Sequence, residues 1–237
     1  MASPFSGAWR DVSDTHDGFY LLTETHFCYL WADKGRPAIT GAPTDDDAAA
    51  LFRSMSSRAG TNRFTAQGDA WQNVSTMLVS ADPASVGREV KETWAFEEGR
   101  SFMRILLPDG ATFRLEKVSE AGTSPFAGAW ELVSDTYEGL MLRTDAHYCA
   151  VVTRRNRPLP QVSELSVSEA AALYRGAQTA VAGSYTIDGM KTVTRTLLDR
   201  NPAMVGREST RVWRFEDDRA IGVPEGGGES VGWRRIG

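Results

Sequence analysis

The sequence predicts an all-β protein made of two copies of one antiparallel, strand-rich unit, each carrying a single short helix. Three observations carry this reading. The stretch Ser3-Pro-Phe-Ser-Gly-Ala-Trp9 returns as Ser124-Pro-Phe-Ala-Gly-Ala-Trp130, an offset of 121 (124 − 3). That offset also pairs Val12-Ser-Asp-Thr15 with Val133-Ser-Asp-Thr136, His26 with His147, Cys28 with Cys149 and Arg36-Pro37 with Arg157-Pro158. Beyond small indels the register resumes, with Asp82-Pro-Ala-Ser-Val-Gly-Arg-Glu89 matching Asn201-Pro-Ala-Met-Val-Gly-Arg-Glu208 at an offset of 119 (201 − 82). A period of roughly 120 residues suits an autonomous domain and is too long for a solenoid repeat. Finally, short aromatic and β-branched runs alternate with turn residues at close spacing, the signature of an antiparallel sandwich or a closed barrel.

In copy one, residues 1–120, Gly7 to Ser13 reads as a first strand. After the Asp14–Gly18 turn, Phe19 to Trp31 reads as one long strand, and Asp33-Lys-Gly-Arg-Pro37 ends it. Strand alternation puts Glu24, His26, Cys28 and Leu30 on one face and Thr25, Phe27, Tyr29 and Trp31 on the other. Thr44 to Arg53 is the helix: Thr44 can cap it, the aspartates sit at its positive end, and Leu51, Phe52 and Met55 give an apolar stripe. A short helix among strands reads as a lid or plug. From Arg63 onward the pattern is strand and turn, giving about seven strands per copy. Glu120 to Ser124 is a short linker, so the two copies should pack against each other.

Copy two, residues 124–237, repeats the helix as Ser166 to Arg175, with Ser166 and Glu169 spaced as a capping box. It differs at its end, where Ala220-Ile-Gly-Val223 leads into Pro224-Glu-Gly-Gly-Gly-Glu229. This glycine run reads as a flexible loop or an opened edge that makes the mouth of copy two more accessible. Its flanking carboxylates repel anions and no helix follows, so it is no phosphate loop.

The chain has 237 residues, 41% hydrophobic and 24% charged, which is enough for two modest cores. Its net charge of −5, with both signs scattered, leaves no basic footprint for nucleic acid or anionic lipid. MASPFSGAW lacks the charged and apolar regions of a signal peptide, and no long apolar window suggests a span, so a cytoplasmic location is expected. The two cysteines stand at equivalent places, and a disulfide would need their strands to touch across the two copies. Reduced structural thiols are the expectation. His26 and Cys28 offer two ligands per copy, which is too few for a metal centre.

The motifs Gly-Ala-Trp-x-x-Val-Ser, Thr25-His-Phe, Ala146-His-Tyr, the Ala-Ala-Ala-Leu-Phe/Tyr helix and Gly183-Ser-Tyr-Thr-Ile-Asp-Gly189 are similar to those of bacterial lipocalin-like domains. The Asp/Asn-Pro-x-x-Val-Gly-Arg-Glu motif and the final Gly232-Trp-Arg-Arg-Ile236 share the resemblance, which spans nearly all of both copies. It implies two tandem lipocalin-like antiparallel β-barrels, each up-and-down with a central cavity. It leaves function open, since such barrels include carriers, proteins of unknown role and a few cofactor-free enzymes.

A small barrel holds one ligand inside, and alternation selects the side chains that face it. In copy one that face should hold Val90, Trp94 and Phe96 together with Arg88 and Glu92; in copy two, Arg207, Ser209, Arg211, Trp213 and Phe215. Charges on an aromatic face are costly unless paired or used. The catalytic expectation gives proton transfer or polarisation of a carbonyl to His26 or His147, with Arg211, like Arg88 and Arg207, stabilising an enolate or carboxylate and Glu92 as a further charged group on that face. Arg88, Arg207, Trp94, Trp213, Tyr29, Trp31, Cys28 and Cys149 are the expected ligand-binding residues. The competing structural expectation has each histidine bonded to a neighbouring strand, each arginine paired at a barrel rim, and the aromatics filling cores.

No Gly-x-Ser-x-Gly elbow occurs, and Cys28 beside His26 lacks an orienting third group. Two functional classes follow. One is a cofactor-independent isomerase or cyclase acting on a bulky apolar small molecule such as a natural-product intermediate. The alternative is a non-catalytic carrier or sensor of a hydrophobic ligand. Haem ligation by His26 or His147 is a third and weaker reading.

Overall fold

The computed structural model describes residues 3–39, 41–157 and 165–237. Met1 and Ala2 of the Met-Ala-Ser-Pro-Phe start and Pro158 of the second Arg-Pro pair lie outside them. The strands of copy one are β1 (Gly7–Asp11), β2 (His16–Leu22), β3 (His26–Asp33), β4 (Met55–Gln67), β5 (Ala70–Ser80), β6 (Glu89–Glu97), β7 (Phe102–Leu106) and β8 (Thr112–Glu120). Each pairs antiparallel with the next, and β8 pairs with β1 to close a barrel. Copy two repeats this with β9 (Gly128–Leu132), β10 (Tyr137–Arg143), β11 (His147–Arg154), β12 (Ala177–Asp188), β13 (Lys191–Asp199), β14 (Glu208–Glu216), β15 (Arg219–Pro224) and β16 (Val231–Arg235).

Each barrel thus has one strand more than the seven expected. The extra strand comes from the run Phe19 to Trp31, which is two strands and a tight turn. The Thr23 N–H donates to the His26 carbonyl at 2.9 Å, and Thr23 Oγ1 accepts from the His26 N–H at 3.0 Å. A threonine hydroxyl makes this turn without glycine or proline, so the usual punctuation is missing. Bulges let the barrels curve. At Gly60 an added Cβ would lie 1.9 Å from the Thr76 carbonyl oxygen, and at the equivalent Gly183 it would lie 2.3 Å from that of Arg195.

The inward face of each barrel packs into a core of its own. In copy one Phe5, Trp9, Trp94, Met103 and Leu115 meet there; in copy two Phe126, Trp130, Trp213 and Trp233 do. Trp9 Nε1 donates to the Phe5 carbonyl at 2.8 Å, and Trp130 Nε1 to that of Phe126 at 3.0 Å. The repeated Pro-Phe-x-Gly-Ala-Trp stretch is therefore an end-plug that hangs on its own tryptophan.

A third core lies between the barrels, where the outward faces of β2 and β3 meet those of β10 and β11. Leu21, Cys28 and Leu30 pack there with Leu142, Cys149 and Val151. The contacts are reciprocal: Arg36 donates to the carbonyls of Asp199 and Arg200, while Arg157 donates to those of Ser80 and Ala81. An approximate two-fold axis relates the copies, the arrangement expected when a duplicated domain keeps an isologous interface.

The helices α1 (Asp45–Arg53) and α2 (Val167–Gly176) each start with a capping box, Thr44 with Asp47 and Ser166 with Glu169. They are not plugs. Ala48 and Leu51 of α1 pack on Ala171 and Tyr174 of α2 outside both barrels, and Arg175 pairs with Asp45 at 2.6 Å. The alanines that make these helices look featureless permit that close approach. The glycine run after Pro224 joins β15 to β16 and leaves the barrel closed. Among the described residues, no helix is long and apolar enough to cross a membrane.

Candidate functional site in barrel one

A half-open chamber of about 440 Å³ lies inside barrel one. β3 supplies Tyr29 and Trp31, β4 supplies Ser56 and Arg58, and β6 supplies Val90 and Glu92. All six follow from alternation, with Tyr29 paired to Arg58 across the β3–β4 ladder. Below it a void of about 20 Å³, room for one water-sized group, is bounded by Asn73, Ser75, Trp94 and the same Arg58 and Glu92.

Glu92 is the organising group of the floor. Its Oε2 accepts from Trp94 Nε1 at 2.9 Å and from Asn73 Nδ2 at 3.1 Å, while Asn73 Nδ2 also reaches Ser75 Oγ at 2.8 Å. Burial pushes the Glu92 carboxyl up, and the bonds from Trp94 and Asn73 and the Arg58 charge oppose that push in part. Tyr20 stacks on Tyr29 with ring centres 4.7 Å apart, and burial also raises both phenols. Tyr29 Oη lies 3.3 Å from Ser56 Oγ. Trp31 Nε1, Arg58 Nε and Asn73 Oδ1 are buried with no protein partner. The chamber thus combines aromatic walls, unmatched donors, a guanidinium and a carboxyl held toward its neutral form. Such a set can orient a polar group on an apolar molecule and move a proton to or from it.

No protein-family model matches the sequence, and a search of the curated proteins finds no match. Among solved structures, the crystal structure of the uncharacterized protein YLR301w from Saccharomyces cerevisiae is similar over 97% of both chains, with a TM-score of 0.52 and 12% sequence identity. The likeness is one of fold. It extends the two-barrel arrangement to a second chain and assigns no chemistry.

The structure divides the sequence-predicted residues into three groups. Glu92, Trp94, Tyr29 and Trp31 line the barrel-one cavity, while Arg211 and Trp213 lie inside barrel two, where Trp213 Nε1 donates to Thr192 Oγ1 at 2.9 Å. His26, His147, Cys28 and Cys149 are not in either cavity, which corrects the expectation that they face a ligand. They point outward from β3 and β11 into the inter-barrel contact. The His26 ring lies against Gly237, with Nδ1 2.8 Å from Thr25 Oγ1. His147 Nδ1 is 3.1 Å from Ser119 Oγ, and its ring is 5.8 Å from that of Phe19. Burial lowers the pKa of both histidines, which favours neutral, packed rings over proton carriers. The same placement removes the geometric basis for axial haem ligation inside a barrel. Cys28 and Cys149 are fully buried free thiols whose strands do touch.

Arg88 and Arg207 form the third group. They precede β6 and β14 in exposed turns, so a strand face extrapolated back from Val90 or Ser209 does not reach them. Sequence reasoning missed Tyr20, Arg58 and Asn73. Arg58 lies between the helix and the first recognised strand of that region, and only the full length of β4 brings it into the barrel.

Proposed function

We propose that barrel one binds a bulky, mostly apolar small molecule and acts on it as a cofactor-independent isomerase or cyclase, with Glu92 as the proton-transfer group. One observation carries this reading: a carboxyl raised by burial forms the floor of an aromatic chamber of about 440 Å³. In its neutral form Glu92 donates a proton to a developing carbanion or leaving oxygen, and as carboxylate it takes one back. Arg58 stabilises the negative charge that develops on the substrate, and the stacked Tyr20–Tyr29 pair confines a flexible substrate to a reactive conformer. The scheme needs no cofactor and assigns the histidines no part.

The second reading is a carrier or sensor of the same ligand class, favoured by the two hydrogen bonds that already engage Glu92 Oε2. Both readings fit a lipocalin-like domain, a family assignment supported by the sequence motifs and by the closed eight-stranded meander of each copy, and both suit a cytoplasmic protein.

A small-molecule extract of the source cells, incubated with wild type and with Glu92→Gln and followed by mass spectrometry, separates them. The enzyme reading expects one compound to be replaced by an isomer of equal mass with wild type and not with the variant. A compound held by both proteins and released unaltered identifies a carrier, and the absence of any retained or converted compound removes both.

A further inference from the structure

The two barrels carry opposite charge at one structural position. Glu92 of β6 and Arg211 of β14 correspond (92 + 119 = 211), each two residues before an inward tryptophan. Trp94 donates its indole N–H to Glu92, whereas Trp213 donates to Thr192, the counterpart of Asn73 (73 + 119 = 192). Barrel two has therefore exchanged its buried acid for a cation.

It also adds a second cation, Arg143 at the end of β10, which is 4% exposed. The guanidinium carbon of Arg143 lies 4.2 Å from the ring centre of Tyr185, 4.9 Å from that of Trp213 and 5.1 Å from that of Phe126. Tyr148, the register partner of Arg143, is a charge neighbour of both arginines. Arg143 Nε and Arg211 Nη1 are buried without a hydrogen-bond partner, and among the described residues neither guanidinium forms an ion pair. The nearest carboxyl on β13, Asp199, is also a charge neighbour of Tyr148, but it lies seven residues from Thr192, roughly 23 Å at strand rise, and the cations near it are Arg200 and Arg36.

Aromatic faces and the Tyr185 hydroxyl offset part of the cost of burying Arg143, but Arg143 Nε and Arg211 Nη1 still lack an acceptor. Two guanidinium groups without a carboxylate are half of a charge-assisted pair. We propose that barrel two binds an organic carboxylate, held between Arg143 and Arg211 with its hydrocarbon part against Trp213. The guanidinium fork matches carboxylate and phosphate alike; the aromatic surroundings favour the carboxylate, a less strongly hydrated monoanion. This site is independent of the one in barrel one, so either can fail alone.

Calorimetric titration of the full chain with 1-naphthoate, 1-naphthamide and inorganic phosphate tests it. Saturable 1-naphthoate binding is expected, weakened at least about tenfold in Arg211→Gln, in line with loss of a charged hydrogen bond. The neutral amide should show no such dependence, and Arg88→Gln, a change in an exposed turn, should bind the acid as wild type does. Arg143→Met should lose the acid while melting no lower than wild type, because it removes an uncompensated buried charge. Should Arg143→Met fail to fold, Arg211→Gln still decides. Unchanged naphthoate affinity in Arg211→Gln, no naphthoate binding at all, or binding of phosphate alone would each overturn the proposal.

Discussion

The Sγ atoms of Cys28 and Cys149 lie 3.2 Å apart, each thiol contributed by one barrel and both fully buried. Residues that occupy the same place in the two copies meet each other only near a two-fold axis, so this contact marks where the barrels join. Burial, with the neighbouring thiol as a lesser cause, pushes the Cys28 thiol well up, which suppresses the reactive thiolate. Native protein should therefore give no rapid reaction with Ellman's reagent, and two thiols should titrate after unfolding. Cys28→Ser, which places a hydroxyl in this apolar contact, should lower stability by about 1–3 kcal/mol in urea unfolding. Rapid native reactivity would show that the interface opens freely.

The end-plugs depend on their tryptophans. Trp9→Phe keeps most of the packing but leaves the buried Phe5 carbonyl unpaired, and should cost about 1–3 kcal/mol. Trp9→Ala should cost about 3–5 kcal/mol through the cavity it leaves. Urea midpoints at constant m-value check both.

Asp199 gives the fold a pH dependence of definite sign. Burial raises its carboxyl from 3.8 to about 6, against a backbone hydrogen bond from Asn201 and the charges of Arg200 and Arg36. The folded state then binds the proton more tightly than the unfolded state. Its stabilising contribution is complete below pH 4 and is lost as pH rises toward 6, a change of up to about 3 kcal/mol. Asp199→Asn should remove that decline, so the difference in unfolding free energy between variant and wild type should grow across this window. Parallel curves would contradict it.

Glu92 shifts in the same direction. Glu92→Gln imitates the neutral acid and still offers an oxygen to Trp94 and Asn73, so the fold should be as stable as wild type at acid pH and more stable as pH rises. Turnover on the compound identified from cell extract should fall by about a hundredfold or more. Loss of folding at all pH values would assign Glu92 a purely structural role.

The duplication, the helix caps and the inward face of β6 were legible because each rests on local pattern: repeat register, Ser or Thr followed by an acid three residues on, and strict alternation. The β2–β3 boundary was hidden because a threonine side chain replaces glycine at the turn. The histidines and cysteines were misplaced for a different reason. Alternation correctly put His26 and Cys28 opposite Tyr29, but both faces of β3 are buried, one by its own barrel and one by the other copy, and sequence pattern alone does not say which face is the cavity. Arg58 and Arg143 escaped because a single arginine inside a barrel has no spacing signature; only the closed sheet brings Arg58 beside Glu92 and leaves Arg143, among the described residues, without an ion pair.

The central claim is that barrel one keeps a ligand-sized space over Glu92. Calorimetric titration of 1-naphthol, a neutral aromatic molecule with one hydroxyl, into wild type and Val90→Trp tests it most directly, because the larger side chain fills the chamber from its wall. Saturable binding of about one molecule per chain is expected for wild type and is lost in the folded variant. Equal binding to both proteins, or none to wild type, would contradict it.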